Sequence, residues 1–195
     1  MHTLLREFVN DVLSDMAISI PFLTAPGSLK HHHNEEGGLL RHSVESALIA
    51  SSIPMLNDDH RDMAIIGALF HDLGKIKVFE NMRRTNIGHL VDHQALTLEV
   101  CAPQLRALED TWPDAALALR HLLTCRSMKR WGYEPRMAIA HVVQLADKIS
   151  VELDMEGRSF SEASDSRNVS NRMTKDSTSY WRPLQPVICE NSQQM

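Results

Sequence analysis

The stretch "GALFHDLGKI", residues 67–76, sets a histidine and an aspartate side by side at the end of an apolar, helix-forming run. A buried imidazole beside a buried carboxylate is costly unless a hydrogen-bond network or a metal ion compensates both. Neighbours on a helix point about 100° apart, so His71 and Asp72 face one centre only if the helix gives way beyond them. Gly74 is placed to end it. Two more ligand-type residues interrupt apolar helical stretches: His42 in "GGLLRHSVE" and Asp147 in "VVQLADKIS". Each has a plainer reading, a hydrogen-bonded core histidine for His42 and a structural His–Asp pair for His71 and Asp72. Together they form a mixed nitrogen and oxygen set that suits a divalent transition metal, Fe, Mn, Co, Ni or Zn, better than Ca or Mg.

The chain holds 11 histidines against 2 tyrosines and 5 phenylalanines, an excess that asks for a cause. The triplet His31–His32–His33 is internal, and His32 and His33 read as support around the site or as surface, with one member able to touch a substrate. Lys75 follows Asp72 by three residues; its plain reading is a lysine that favours a helix C-terminus. Arg126, Lys129 and Arg130 lie just past His121 and either hold a phosphate at the pocket edge or solvate a helix end. Arg83 and Arg84 are a weaker instance of the same pattern. His141 falls off the face of Asp147 and reads as structural.

The order His42, His71–Asp72, Asp147, with "HDLGK" at its centre and "HHHNEEGGLLRHSVE" before it, resembles the HD-domain superfamily of metal-dependent phosphohydrolases. The likeness covers residues 20 to 155, roughly, and is similar both to the HD domains of bacterial 3′→5′ exoribonucleases and to those of TraI-type conjugative-transfer proteins. "LVDHQALTLEVCAPQL" and "LRHLLTC" look closer to the second kind. The resemblance implies an all-α bundle of at least five core helices with one or two metal ions inside. Carried over by position, it makes His93 and His121 ligands of a second ion, with Asp72 bridging, and brings Lys75 to the scissile phosphate. His89, four residues before His93, is the substitute for it. The exoribonuclease-type domains carry an "HHG" signature where this chain has Arg126 and Ser127, which leaves the second metal position in question.

Such a site hydrolyses a phosphoester, a nucleotide or nucleic-acid end foremost, through a metal-activated water. Asp72 ties metal and water together while Lys75 neutralises developing charge. No G-x-S-x-G elbow or phosphate-binding P-loop supplies another route. Two other readings stay open: a di-iron oxygenase of HD type, and a non-catalytic accessory module of conjugative or mobile-element DNA transfer.

These residues need helices to position them. Leu4, Leu5, Phe8, Val9, Val12, Leu13 and Met16 repeat with helical spacing, predicting an amphipathic helix over 3–17, packed on the core as an N-terminal segment of residues 1–19. "ISIPFLTAPGSLK" reads as an irregular connection. A helix follows through "LLRHSVESALIASS" with Leu40, Val44, Ala47 and Leu48 inward, then one from Asn57 or Asp58 to His71 and Asp72. Residues 81–91 read as a loop. Asp92 caps the next helix, which Pro103 interrupts. Thr111 is expected to cap another, and Pro135 to introduce the last. No period-2 alternation is long enough for a sheet.

A net charge of −5 argues against wrapping long nucleic acid, though not against a local grip on one phosphate. Cys101, Cys125 and Cys189 are widely spaced, neither a disulfide framework nor a zinc ribbon, and fit a reducing cytoplasm. Arg6, Asp11 and Asp15 in the first helix speak against a leader, and no apolar run reaches the ~18 residues of a membrane span. Residues 156–195, rich in Ser and Asn, are expected to form a mostly disordered tail, whose "YWRPLQPVI" end could dock on this domain or a protein partner. Oligomeric state leaves no mark.

Overall fold

The structure, a computed structural model, describes residues 1–124, 135–161, 167–172 and 179–184. The expected all-α architecture is present: ten helices and one two-stranded ribbon among the described residues. The chain divides into a unit of residues 1–152 and a smaller unit of residues 153–195.

In the first unit, α1 (Thr3–Ser14) buries Leu5, Phe8 and Val12. The expected helix over 3–17 is broken at Asp15, whose carboxylate accepts from the Ala17 N–H at 2.9 Å and caps α2 (Met16–Thr24). The predicted irregular connection is therefore mostly helix, despite Pro21 inside it. Ile18 and Phe22 are 4% and 2% exposed, so burial of that apolar turn outweighs the missing proline N–H.

Helix α3 (Gly38–Ser51) and α4 (Asp58–Phe70) pack against each other over an extensive face. The inward face of α3 is Leu39, His42, Ser43, Ser46, Ala47 and Ala50. Val44 and Leu48, predicted inward, are 41% and 64% exposed. Small residues take their place because α4 lies close. Asn57 caps α4 as expected, accepting from the His60 N–H at 2.8 Å. Leu39, Ile66, Phe70, Leu105, Leu119, Leu123 and Ile139 are all essentially inaccessible to solvent and make one contiguous core.

Beyond α4 a tight turn leads into α5 (Lys75–Val78), then β1 (Phe79–Glu80) and β2 (Arg83–Arg84), paired antiparallel with Glu80 opposite Arg83. Asn81 and Met82 both carry positive φ, 47° and 58°, as a two-residue hairpin turn of this hand requires. The expected loop over 81–91 thus holds half a hairpin and α6 (Asn86–Leu90). Asp92 caps α7 (His93–Val100) as predicted. The chain breaks at Cys101, and α8 (Ala102–Thr111) begins with Pro103 in its first turn. Thr111 ends α8 rather than capping α9 (Pro113–Thr124).

Helix α10 (Ala138–Phe160) enters the core through Ile139, Ala140, Val143 and Ala146. Its residues 153–160 belong to the second unit. There Val169 pairs with Trp181 in an isolated antiparallel bridge, and the Arg182 guanidinium stacks over Phe160 at 4.2 Å. The first residues of "YWRPLQPVI" therefore pair within that unit, while residues 185–188 lie outside the described residues.

Candidate metal centre

Three helices deliver the ligand-type atoms. His42 comes from the middle of α3, His71 and Asp72 from the turn that ends α4, and Asp147 from α10. Helix α4 ends at Phe70, ahead of the His–Asp pair, so both side chains leave a turn and converge. Gly74 is not the left-handed helix stop the sequence suggested, for its φ and ψ are −60° and −15°. Its lack of a side chain serves another end: a Cβ there would stand 2.0 Å from the His93 carbonyl oxygen and 2.4 Å from the Thr97 nitrogen. The Gly74 N–H donates to Thr97 Oγ1 at 2.8 Å, and Thr97 Oγ1 donates to the His93 carbonyl at 3.0 Å. The start of α7 is thereby held against the His71–Asp72 turn.

The four donor atoms crowd together. His42 Nε2 is 3.3 Å from His71 Nε2 and 3.2 Å from Asp147 Oδ1. His71 Nε2 is 3.6 Å from Asp147 Oδ1, and Asp72 Oδ2 is 3.7 and 3.5 Å from the two imidazole nitrogens. The other carboxylate oxygen of Asp72 faces away from this set, with His93 Nε2 at 3.1 Å from Oδ1. Lys75 Nζ is ion-paired to Asp72 Oδ2.

Hydrogen bonds on the far ring atoms decide which nitrogens are available. His71 Nδ1 donates to the Ala68 carbonyl at 2.8 Å, and His42 Nδ1 donates to Ser150 Oγ at 3.0 Å. The Ser150 hydroxyl in turn donates to Glu45 Oε2 at 2.8 Å, which also meets His33 Nε2 at 2.9 Å. With both imidazoles neutral, these assignments would leave a lone pair on each Nε2, directed at the other across 3.3 Å. Two facing lone pairs repel unless a proton or a cation stands among them. Ligands of an ion with bonds of ~2.0–2.2 Å are separated by roughly 3.0–3.6 Å, close to the spacings found. The cluster His42, His71 and Asp72 can hold a metal ion.

Charge follows burial and neighbours. Burial drives His42 below its usual pKa, toward the neutral imidazole, against the pull of Asp147. Burial opposes the charge on His71 too, but Asp72 and Asp147 outweigh it and raise its pKa to about 9. Burial works against the Asp72 carboxylate, yet Lys75, His71 and His93 hold its pKa well below the usual range. Asp147 is likewise lowered by the two imidazoles in spite of burial. His32, beside His33 and His42, is lowered to about 4 by burial and then by Lys75.

Of the residues singled out from sequence, His42, His71, Asp72, Lys75, His93 and Asp147 come together. His33 is fully buried and joins through Glu45, while His32 packs against both His33 and His42. His89 is exposed on α6. His121 Nε2 accepts from the Arg136 N–H at 2.9 Å. Arg126, Lys129 and Arg130, with Ser127, lie outside the described residues. Glu45 and Ser150 were missed. Each stands three residues after a ligand-type residue, His42 and Asp147, on the same helix face, which is the signal that would have found them.

Residues 39–152 match the family model described as HD domain. Among characterised proteins, the chain is 25% identical over 187 residues to the 3′-5′ exoribonuclease YhaM of Oceanobacillus iheyensis, covering 92% of this chain and 57% of that protein. It is 26% identical over 172 residues to YhaM of Bacillus licheniformis (84% and 54%) and 25% over 171 residues to that of Bacillus subtilis (83% and 54%). The chain thus spans little more than half the length of these relatives. No solved structure matches it. The expected likeness to conjugative-transfer proteins finds no support in these relatives.

Proposed function

This chain belongs to the HD domain family, and from that premise we propose that it is a metal-dependent phosphohydrolase acting on a nucleotide or nucleic-acid end. The observation that carries this is the convergence of His42 Nε2, His71 Nε2, Asp72 Oδ2 and Asp147 Oδ1, with Asp72 turning its second oxygen toward His93. In this reading His42, His71, Asp72 and Asp147 would hold one divalent transition metal and Asp72 and His93 a second; His121, expected as a further ligand, has its Nε2 engaged by the Arg136 N–H and stands outside the cluster. Metal of this kind supplies Lewis acidity to a water molecule and to a phosphoryl oxygen.

The protein's own groups do the rest. Asp72, kept ionised, presents Oδ2 to His42 and His71 and Oδ1 to His93, and would orient the attacking water. The Lys75 ammonium, already beside Asp72 and only 13% exposed, neutralises charge that builds on the phosphoryl oxygens, where a poorly hydrated cation acts strongly. His42 is held as the neutral, Nε2-ligating tautomer by Ser150 and Glu45. His32 and His33 surround it. A nucleic-acid substrate is supported by the exoribonuclease relatives.

Metal content by plasma mass spectrometry, on protein purified without tag or chelator, tests this together with turnover of bis(p-nitrophenyl) phosphate and short oligoribonucleotides. The expected result is one or two transition-metal ions per chain, hydrolysis, and loss of both in Asp72→Ala. Protein reconstituted with Mn or Fe that still binds no metal would overturn the reading. So would O₂ consumption by the iron-loaded protein without turnover of any phosphoester.

A further inference from the structure

Two clefts flank the β1–β2 hairpin, of about 500 and 480 Å³, each large enough for a nucleoside. They differ in charge and in what they adjoin. The second is lined by Glu36, Glu80 and Lys77, two carboxylates against one ammonium, and by none of the clustered site residues. The first is lined by Lys75 and His93 together with Phe79, Arg84 and His89. Its one carboxylate, Asp92, is already engaged in capping α7.

Arg84 is the unexplained residue of this cleft. Its guanidinium lies 5.6 Å from the centre of the Phe79 ring, and Nη1 donates to the Gly88 carbonyl at 2.9 Å. Among the described residues it forms no ion pair. An arginine carries five N–H donors in a fixed fork, so most of its hydrogen-bonding capacity is left for a ligand. Its strand is held by the Thr85 N–H and hydroxyl, which donate to the carbonyls of Val78 and Lys77. A planar cation, braced on an aromatic ring beside a lysine that meets the reacting phosphate, suits a second phosphate.

We infer that the cleft beside Lys75 and His93 seats the nucleoside joined to the reacting phosphate, and that Arg84 holds the next phosphate of an oligonucleotide. This rests on the phosphohydrolase reading for what happens at Lys75, but the binding itself is independent of turnover.

Anisotropy of a fluorescent pentaribonucleotide, titrated with the full chain in EDTA, reads binding without hydrolysis. Steady-state turnover by the manganese-loaded protein then compares an oligoribonucleotide with bis(p-nitrophenyl) phosphate, which has one phosphate only. Arg84→Ala should weaken pentaribonucleotide binding about tenfold or more, the worth of one charge-assisted contact, and should lower kcat/KM for the oligonucleotide about tenfold more than for the single phosphate. Lys77→Ala removes the same charge from the opposite cleft and should shift binding by no more than about twofold. Arg84→Lys keeps the charge without the fork and should fall between wild type and Arg84→Ala, which covers the case in which Arg84→Ala fails to fold. Equal losses in Arg84→Ala and Lys77→Ala, unchanged binding in both Arg84 variants, or no pentaribonucleotide binding by the wild type would overturn the assignment. Binding that depends on Arg84 without hydrolysis of any phosphoester would leave the cleft assignment standing and remove the phosphohydrolase reading.

Discussion

At the scale of single residues, the candidate metal centre is organised by what lies behind the clustered donor atoms as much as by the atoms themselves. His42 reaches Glu45 through Ser150, and such outer partners typically carry a 10–100-fold share of metal affinity. Ser150→Ala is expected to weaken metal binding by about that factor, as competition titration with a chromophoric chelator would show, and to cost the metal-free fold about 1–3 kcal/mol for the buried imidazole N–H left without its partner. His71 sets the pH dependence. Its pKa, raised from 6.5 to about 9, means that at neutral pH a metal must displace a proton from Nε2. Affinity should therefore rise about tenfold per pH unit from 7 toward 9 and then level off; calorimetry in two buffers of different ionisation enthalpy should find about one proton released near pH 7. The contribution of His71 to the stability of the metal-free fold has the reverse dependence. A folded pKa above the unfolded one gives stability that is full below about pH 6.5 and lost as pH climbs through 9. In the sequence, His42, His71–Asp72 and Asp147 were legible because charged and imidazole side chains interrupt apolar helical runs. The Ser150–Glu45 link was not, since a serine in a helix carries no such contrast.

At the scale of elements, the site depends on how closely α7 approaches the turn after α4. Gly74→Ala places a methyl group within the van der Waals radius of two backbone atoms of α7, neither of which can rotate away. Urea unfolding should show a loss on the order of 1–3 kcal/mol, and metal affinity should fall with it, because His93 and the His71–Asp72 turn would be pushed apart. Phe70, fully buried at the end of α4 and edge-on to Phe8 at 6.2 Å, is the packing counterpart: Phe70→Ala should cost about 3–5 kcal/mol by the same measurement. Caps at Asn57 and Asp92 were readable from side-chain chemistry, whereas α2 was hidden by Pro21 and the inward face of α3 by its small residues. In both cases tertiary packing overrode a local preference. Serines and alanines face α4 where larger apolar side chains, Val44 and Leu48, would have held the helices apart.

At the scale of the whole molecule, a net charge of −5 makes any grip on nucleic acid local, through a few cations such as Lys75 and Arg84. Each neutralised phosphate of a single strand contributes about −0.7 to the slope of log K against log salt. The oligonucleotide titration repeated from low to moderate salt should give a slope of about −1 to −2, and a steep one would mean that other basic residues take part. No helix among the described residues is long and apolar enough to cross a membrane. The donor set draws on residues 42, 71, 72 and 147, and His42 meets its supporting serine across 108 positions of sequence. Seen in time rather than in space, the centre cannot form until α10 has been made. At roughly 5–20 residues per second, the α3 histidine waits several seconds on the ribosome before Asp147 and Ser150 emerge, so a nascent chain cannot bring these donor groups together until α10 has formed.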